Sequence, residues 1–323
     1  MTVQTSPFLD LHVHAREPGQ THKETLPTAC AAAFAGGFRA FAAMANTLPV
    51  IDAPELVRFV RNGAAHGVTV YPVAAVTVGL RGEKLTDFAA LKEAGAAALS
   101  DDGVPIVSEA LLQDALRRAD EVNLPLLLHC EPETEQVEQA AFYSKKLGCP
   151  AHICHVSKVG TVAALRRAKR EGAPITAETC PHYMTPNAVG RMNPPLGSEA
   201  DVSAVLDALC DGVIDCVATD HAPHTETEKQ GENPPNGVIG LETALAVTLE
   251  ALFHSKRMPL DAVLRLLNDA PAAILRVPAP NGLITVDTDA AWVVEPEQFM
   301  SKARNTPFKG LTLRGKVVRQ LVG

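Results

Sequence analysis

The sequence predicts an α/β fold, a (β/α)8 TIM-type barrel carrying a small C-terminal β segment. Three observations predict it. Short apolar runs alternate with longer amphipathic segments eight times between residues 9 and 220. Residues able to do chemistry (His14, Asn46, Asp102, His129, His155 and Asp220) fall at or near the C-terminal ends of those runs. A barrel of this type gathers its chemistry from many strands at that end. Beyond Pro278-Ala279-Pro280-Asn281-Gly282 the texture changes to short β-like runs.

The strand series opens at 9–14 (LDLHVH) and continues at 39–46, 68–77, 96–102, 124–130, 151–156, 174–180 and 215–220. Helical patterns fill 22–36, 53–66, 84–94, 106–121, 134–147, 159–171 and 199–211. Gly95 and Gly172 stand near helix ends, matching the glycine stop signal. An apolar helix pair is expected at 241–255 and 259–268, and the runs LITVDT, AAWVVEP and GLTLRGKVVRQLV follow. The barrel is therefore expected over 1–280. Residues 281–323 are expected as a small β segment packed on it, not an independent domain.

Composition narrows the function. The 323 residues are 46% hydrophobic and 20% charged, as in soluble globular enzymes, and only 4% aromatic, so Ala, Val, Leu and Ile must build the core. A net charge of −8 argues against nucleic-acid binding. No apolar run approaches 18 residues and no basic, then apolar leader opens the chain, which argues against a membrane or secretory address. Seven cysteines without a C-x-x-C pair fit reduced thiols in a cytoplasm.

His12 and His14 alternate on one strand, so both imidazoles point to the same face and can share a metal ion. Taken alone, H-x-H equally describes histidines that merely hydrogen-bond. His129 and His155 each close an apolar run, and their repetition favours ligands over core histidines. If both face the barrel interior, adjacent Cys130 and Cys154 face the helices and serve packing. Asp101-Asp102-Gly103 offers either a turn or a carboxylate bridging two metals. No Lys occurs from Glu93 to Ser144, so strand four has only an Asp for that purpose. Asp220, ending strand eight, can bind a metal with one oxygen and accept a proton from water with the other. His224 lies in the following loop within reach of a substrate, and His221 is expected to face away. His66 and His254 read as solvated helix residues, whereas His22 and His182 carry no assigned role.

The segments DLHVHAREPG (10–19) and ATDHAPHTETEK (218–229) resemble the two signature motifs of the dihydroorotases, in the amidohydrolase superfamily. HKET (22–25), AAMANTLPVIDAP (42–54), SDDG (100–103), HICHVS (152–157), MNPPLGS (192–198) and NTPFKG (305–310) agree. The resemblance covers most of the chain and points to the bacterial form with an aspartate bridge. It implies two Zn2+ per chain. One would be held by His12, His14 and Asp220, the second by His129 and His155, with Asp102 and a hydroxide bridging. Arg16, Asn46 and His224 would bind a substrate carboxylate, and Asn193 with the backbone near Gly237 would contact the ring. The implied reaction is reversible cyclisation of N-carbamoyl-L-aspartate to L-dihydroorotate in pyrimidine biosynthesis, with Asp220 as general acid/base. Loop 225–236 reads as a lid or a mobile surface loop.

Three departures from the family pattern stand out. Few residues precede strand one, so the C-terminal segment is expected to be a truncated β-sandwich whose exposed face or edge a second subunit covers, as in a homo-oligomer. The stretch between His129 and His155 is short. Ala15 and Gly197 replace larger residues. The competing readings are a hydantoinase or allantoinase-like cyclic amidohydrolase and a non-catalytic partner subunit of aspartate transcarbamoylase.

Overall fold

The computed structural model describes residues 1–321; the last two residues of the expected C-terminal segment lie outside the described residues. The eight barrel strands are β2 (Phe8–Val13), β3 (Phe38–Ala43), β4 (Thr69–Ala74), β5 (Ala98–Leu99), β6 (Leu127–Leu128), β7 (Ala151–Ile153), β8 (Ile175–Thr179) and β9 (Cys216–Val217), all preceded by β1 (Thr2–Thr5). They pair in parallel as β2-β3-β4-β5 and β6-β7-β8-β9. Parallel bridges Leu99–Leu126 and Val13–His221 join the two halves into a closed barrel. Asp10 reinforces the closure, its Oδ1 accepting from the backbone N–H of His12 and of Thr219, each at 3.0 Å. Several strands are shorter than their apolar runs, because the chain curls out of the ladder where it turns into the mouth.

Helices follow the strands in order: α1 (Leu26–Ala35), α2 (Pro54–Arg61), α3 (Phe88–Ala94), α4 (Glu109–Glu121), α5 (Glu133–Leu147), α6 (Val159–Arg170) and α7 (Glu199–Cys210). Thr25 caps α1 and Ser198 caps α7, each in a reciprocal capping box with the side chain three residues on. Gly95 ends α3 in the left-handed region, at φ 108°, a conformation a Cβ would oppose. His66 lies in the exposed turn beyond α2 and not on the helix.

The core has two main layers. Phe8, Phe38 and Phe41, fully buried, face the helices together with the Ala and Leu stripes of α1 and α4. Each such side chain contributes roughly 1.5–3 kcal/mol by leaving water. Inside the barrel lie Leu9, Leu11, Val73, Leu127, Cys154 and Cys216. After a short helix α8 (Glu226–Gln230), the expected 241–255 helix appears as α9 (Ala244–Thr248) widening into a π segment at Leu249–His254. His254 closes that segment half-buried, with Nε2 3.0 Å from the Thr288 carbonyl. Then α10 (Leu260–Arg265) and α11 (Asp269–Leu275) follow, and Ala272 and Leu275 of α11 plug the N-terminal end of the barrel.

β10 (Leu283–Val293) and β11 (Thr312–Leu321) form an antiparallel pair, and β1 adds a third strand on β10. Thr2–Thr5 thus lie in the small sheet and outside the barrel, and they give the C-terminal strands a partner from the start of the chain. Arg314 clamps Glu250 of the π segment through two N–H···O bonds of 2.8 and 2.7 Å. Nearer the mouth, the half-buried Glu242 carboxylate accepts from the backbone N–H of Met300 and of Ser301. Burial lifts Glu242 from 4.5 to about 7. A carboxyl raised in the folded state favours folding while neutral and loses that contribution as pH climbs through its folded value. Glu242→Gln is therefore expected to gain stability over the wild type between pH 4.5 and 7 and to hold a level advantage of roughly 1–3 kcal/mol above that range. Urea unfolding at pH 4.5, 6 and 8 measures it.

Candidate metal centre

The side chains at the strand ends converge on one cavity of about 250 Å³, lined among others by His14, Asp102, His129, His155 and Asp220. β2 reaches it through a bulge: β2 has one more residue than β3 between the pairings Asp10–Phe41 and Val13–Ala43. Such a bulge re-aims side chains, and here both His12 and His14 reach the site. Arg16, His155 and Asp220 all adopt left-handed backbone, at φ 61°, 40° and 47°. This is strain that the structure around the mouth must hold.

Asp102 stands between two sets of imidazoles. Its Oδ1 lies 3.2 Å from His12 Nε2, 3.5 Å from His129 Nδ1 and 3.5 Å from His155 Nε2, while Oδ2 lies 3.4 Å from His14 Nε2. Asp220 Oδ1 is 3.0 Å from His14 Nε2 and 3.6 Å from His12 Nε2. Donors about 2.0–2.2 Å from a tetrahedral metal stand roughly 3.3–3.6 Å apart; four of these six spacings lie in that range, and those of 3.2 and 3.0 Å fall just short of it. Burial opposes ionisation of Asp102 and Asp220, but His12 and the neighbouring imidazoles outweigh it and hold both carboxyls below the usual carboxylate range. His12 Nδ1 faces Glu178 Oε1 at 2.9 Å. A carboxylate only accepts, so Nδ1 carries a proton, while Nε2 faces the two anions Asp102 and Asp220. The two carboxylates favour positive charge at that point, which a proton on Nε2 or a metal ion taking its place supplies. His12 Nε2 and Asp102 Oδ1 are indeed buried without a hydrogen-bond partner. The donor set fits divalent metals.

Asp101 is not part of this centre. Its Oδ1 accepts from Val76 N–H at 2.7 Å and Thr77 N–H at 3.0 Å, a structural tie to the neighbouring strand end. His221 turns away, accepting from Gly240 N–H on Nδ1 and facing Glu24 on the other side. Cys130 packs in the outer layer, but Cys154 faces the barrel interior beneath His12, contrary to the expectation that both thiols face the helices. The alternation counted back from His155 fails because His155 itself leaves strand conformation, at φ 40°, and swings into the mouth.

The residues expected around a substrate all line the cavity. Arg16 is buried, its Nε donating to the Pro223 carbonyl at 3.1 Å, and it forms no ion pair among the described residues. Burial lowers it to about 10, so it stays charged at neutral pH. His224 Nε2 is 2.9 Å from the Asn236 carbonyl and Lys23 Nζ is 3.5 Å from Nδ1. Burial, then Arg16 and Lys23, lower His224 to about 3, which leaves it neutral. Asn46 is engaged on the metal side, its Oδ1 accepting from His14 Nδ1 at 2.8 Å. Asn193 donates to Glu131 at 2.9 Å. Gly237 sits at φ 117°, where a Cβ would come within 2.6 Å of the Ala222 Cβ. Its N–H donates to the Arg191 carbonyl, and its carbonyl accepts from Lys229. Loop 225–236 carries α8, which Thr225 caps and which a Lys23–Glu228 pair at 3.0 Å ties to the barrel rim.

Asn305 went unrecognised in the sequence except as part of NTPFKG. Its Oδ1 accepts from His224 N–H at 3.3 Å, and its Nδ2 donates to the Ala222 and Gly237 carbonyls at 3.1 and 3.2 Å. One amide thus holds both flanks of the cavity. Each such bond contributes about 0.5–1.5 kcal/mol. Asn305→Ala is expected to raise KM roughly tenfold with kcat changed less than about threefold. Steady-state kinetics of the pure variant check it.

The family described as Dihydro-orotase-like matches residues 3–148. A dihydroorotase of Geobacillus sp. (strain WCH70) is 38% identical over 362 aligned positions, covering 98% of this chain and 85% of that protein. One from Anaeromyxobacter dehalogenans (strain 2CP-1 / ATCC BAA-258) is 39% identical, covering 99% and 84%. Among solved structures, the L-hydantoinase of Arthrobacter aurescens superposes with a TM-score of 0.88 at 19% identity, covering 99% of this chain and 84% of that one. The D-hydantoinase of Thermus sp. gives 0.85, also at 19% identity. At such identity the structures establish the barrel fold alone, while the sequence relatives specify the family. With near full-length identity of this order to proteins of that name, the chain belongs to the dihydroorotase family.

Proposed function

We propose that this enzyme interconverts N-carbamoyl-L-aspartate and L-dihydroorotate, with two zinc ions at the centre described above. His12, His14 and Asp220 would hold one ion and His129 and His155 the other, with Asp102 placed to serve both. Bound there, the metals supply a Lewis acid for the ring carbonyl and make water nucleophilic near neutral pH. Arg16 anchors the substrate carboxylate with its planar donor fork, and His224, 3.2 Å from the Arg16 guanidinium, lines the same side of the cavity. In the hydrolytic direction, a water oxygen adds to the ring amide carbon and the C–N bond breaks. Asp220 takes the water proton and returns it to the departing nitrogen; in the reverse direction it takes the ureido proton.

The observation that carries this reading is Arg16, a buried guanidinium lining the cavity with no carboxylate partner among the described residues. A carboxylate-bearing ring completes it, whereas a hydantoin has no carboxylate to offer. The test is turnover of L-dihydroorotate by the purified, zinc-supplied protein, followed by ultraviolet absorbance. Turnover supports the reading. Hydantoin turnover in its place, or no turnover with two zincs bound, overturns the substrate and leaves the centre.

A further inference from the structure

The metal centre rests on a line of buried polar groups that runs down through the barrel interior. Glu178, on β8, points inward and is essentially inaccessible to solvent, as is His152 on β7. Glu178 Oε1 meets His12 Nδ1 at 2.9 Å, and Oε2 meets His152 Nε2 at 3.2 Å. His152 Nδ1 in turn lies 2.8 Å from Thr176 Oγ1. The parallel register that pairs His152 with Thr176 sets this last contact, so it follows from the sheet itself.

Proton accounting fixes the direction of the two bonds to Glu178. The Glu178 carboxylate only accepts, so His12 donates from Nδ1 and His152 from Nε2. His152 Nδ1 is paired with the Thr176 hydroxyl, which can donate or accept. The result at the upper end of the chain is a His12 ring held with Nε2 turned toward Asp102 and Asp220. Glu178 is costly where it stands: a carboxylate within an apolar barrel persists only when its oxygens are fully engaged. A role in packing would be met as well by Leu or Met.

We propose that Glu178, held by His152 and Thr176, is a positioning residue that fixes the ring orientation and tautomer of His12 and thereby sets zinc affinity at one of the two metal positions. The proposal rests on the reading of His12 as a zinc ligand. Partners of this kind on a ligating imidazole orient the ring and raise its basicity, and their loss typically lowers metal affinity about 10- to 100-fold. Because Glu178 touches His12 alone among the six ligands, the effect is confined to the position shared by His12, His14 and Asp220. His129 and His155 have their own surroundings and are unaffected.

The test is zinc titration of metal-stripped protein against a competing chelator, with the melting temperature of the metal-free form recorded for each variant. Wild type is expected to bind two zincs. Glu178→Gln keeps the side-chain shape and is expected to weaken one zinc about 10- to 100-fold, leaving the other within about twofold. His152→Leu, which frees Glu178, is expected to weaken the same zinc. His152→Gln, whose amide can donate to Glu178, is expected to restore it in large part, and this pair keeps the question open to refutation if Glu178→Gln does not fold. A purely structural role predicts lowered melting temperatures with both zincs equally affected, and that result overturns the proposal. So does unchanged affinity in Glu178→Gln. His152, Glu178 and Cys216 also lie close enough to form a ligand set of their own. A third zinc in the wild type, lost in Cys216→Ser, would make Glu178 a ligand and overturn its positioning role. A wild type that binds no zinc overturns the metal centre as well, whereas two zincs with unaltered variants overturn the present inference alone.

Discussion

Asp220→Asn is expected to lower kcat by about 10²–10⁴-fold, toward the upper end of what a single general acid/base contributes. The substitution preserves shape. Asn also tolerates the left-handed backbone that Asp220 adopts at φ 47°, so the loop need not rearrange. What it removes is charge and proton affinity. Asp220 Oδ1, 3.0 Å from His14 Nε2, no longer neutralises the adjacent metal, and no carboxylate remains to accept the water proton. KM is expected to move less than kcat, because Arg16 and His224, which face the substrate carboxylate in the proposed reading, are untouched. A variant that lost kcat and KM together, with a lower melting temperature, would show a disturbed loop and not a missing base. A variant that turned over near the wild-type rate would end the case for Asp220 as the proton carrier, and a dead Asn variant rescued by no zinc concentration would support it.

Much of the fold was legible because the barrel repeats one rule eight times. Each strand is a short apolar run and each helix an amphipathic one, and every strand lies near its expected place. The convergence of the strand ends was legible too: His14, Asn46, Asp102, His129, His155 and Asp220 all line one cavity. What the pattern hid were departures from strict alternation. Leu11 and His12 both face inward, which only the bulge in β2 allows. Cys154 was turned the wrong way because His155 was taken as a strand residue. Glu178 carried a signal that went unused: a Glu inside the apolar run 174–180 must have buried partners in a soluble barrel. His152 sat in the quoted HICHVS without a role, for its partner lies on another strand, and a sequence does not show which side chains meet across a sheet. Asn305 was equally silent, since it acts on segments more than sixty residues away.

Asp102→Asn is expected to produce the other large effect, loss of turnover together with loss of metal. Among the described residues Asp102 is the one group that faces all four imidazoles, through Oδ1 toward His12, His129 and His155 and through Oδ2 toward His14. Two dications about 3.5–4 Å apart repel strongly unless an anion lies between them, so an uncharged amide at this position leaves the second ion without its counter-charge. The variant is therefore expected to retain one zinc at most, measured by elemental analysis after dialysis. Stability supplies an independent reading. Metal that binds only the folded state stabilises it by about 4 kcal/mol when free zinc stands a thousandfold above its Kd. Zinc should thus raise the melting temperature of the stripped wild type markedly and that of Asp102→Asn much less. A chelator should silence the wild type, and added zinc should restore it but not the variant. Full zinc content and full thermal response in Asp102→Asn would mean that the two histidine sets bind their ions independently. The carboxylate would then be a neighbour of the centre and not its bridge.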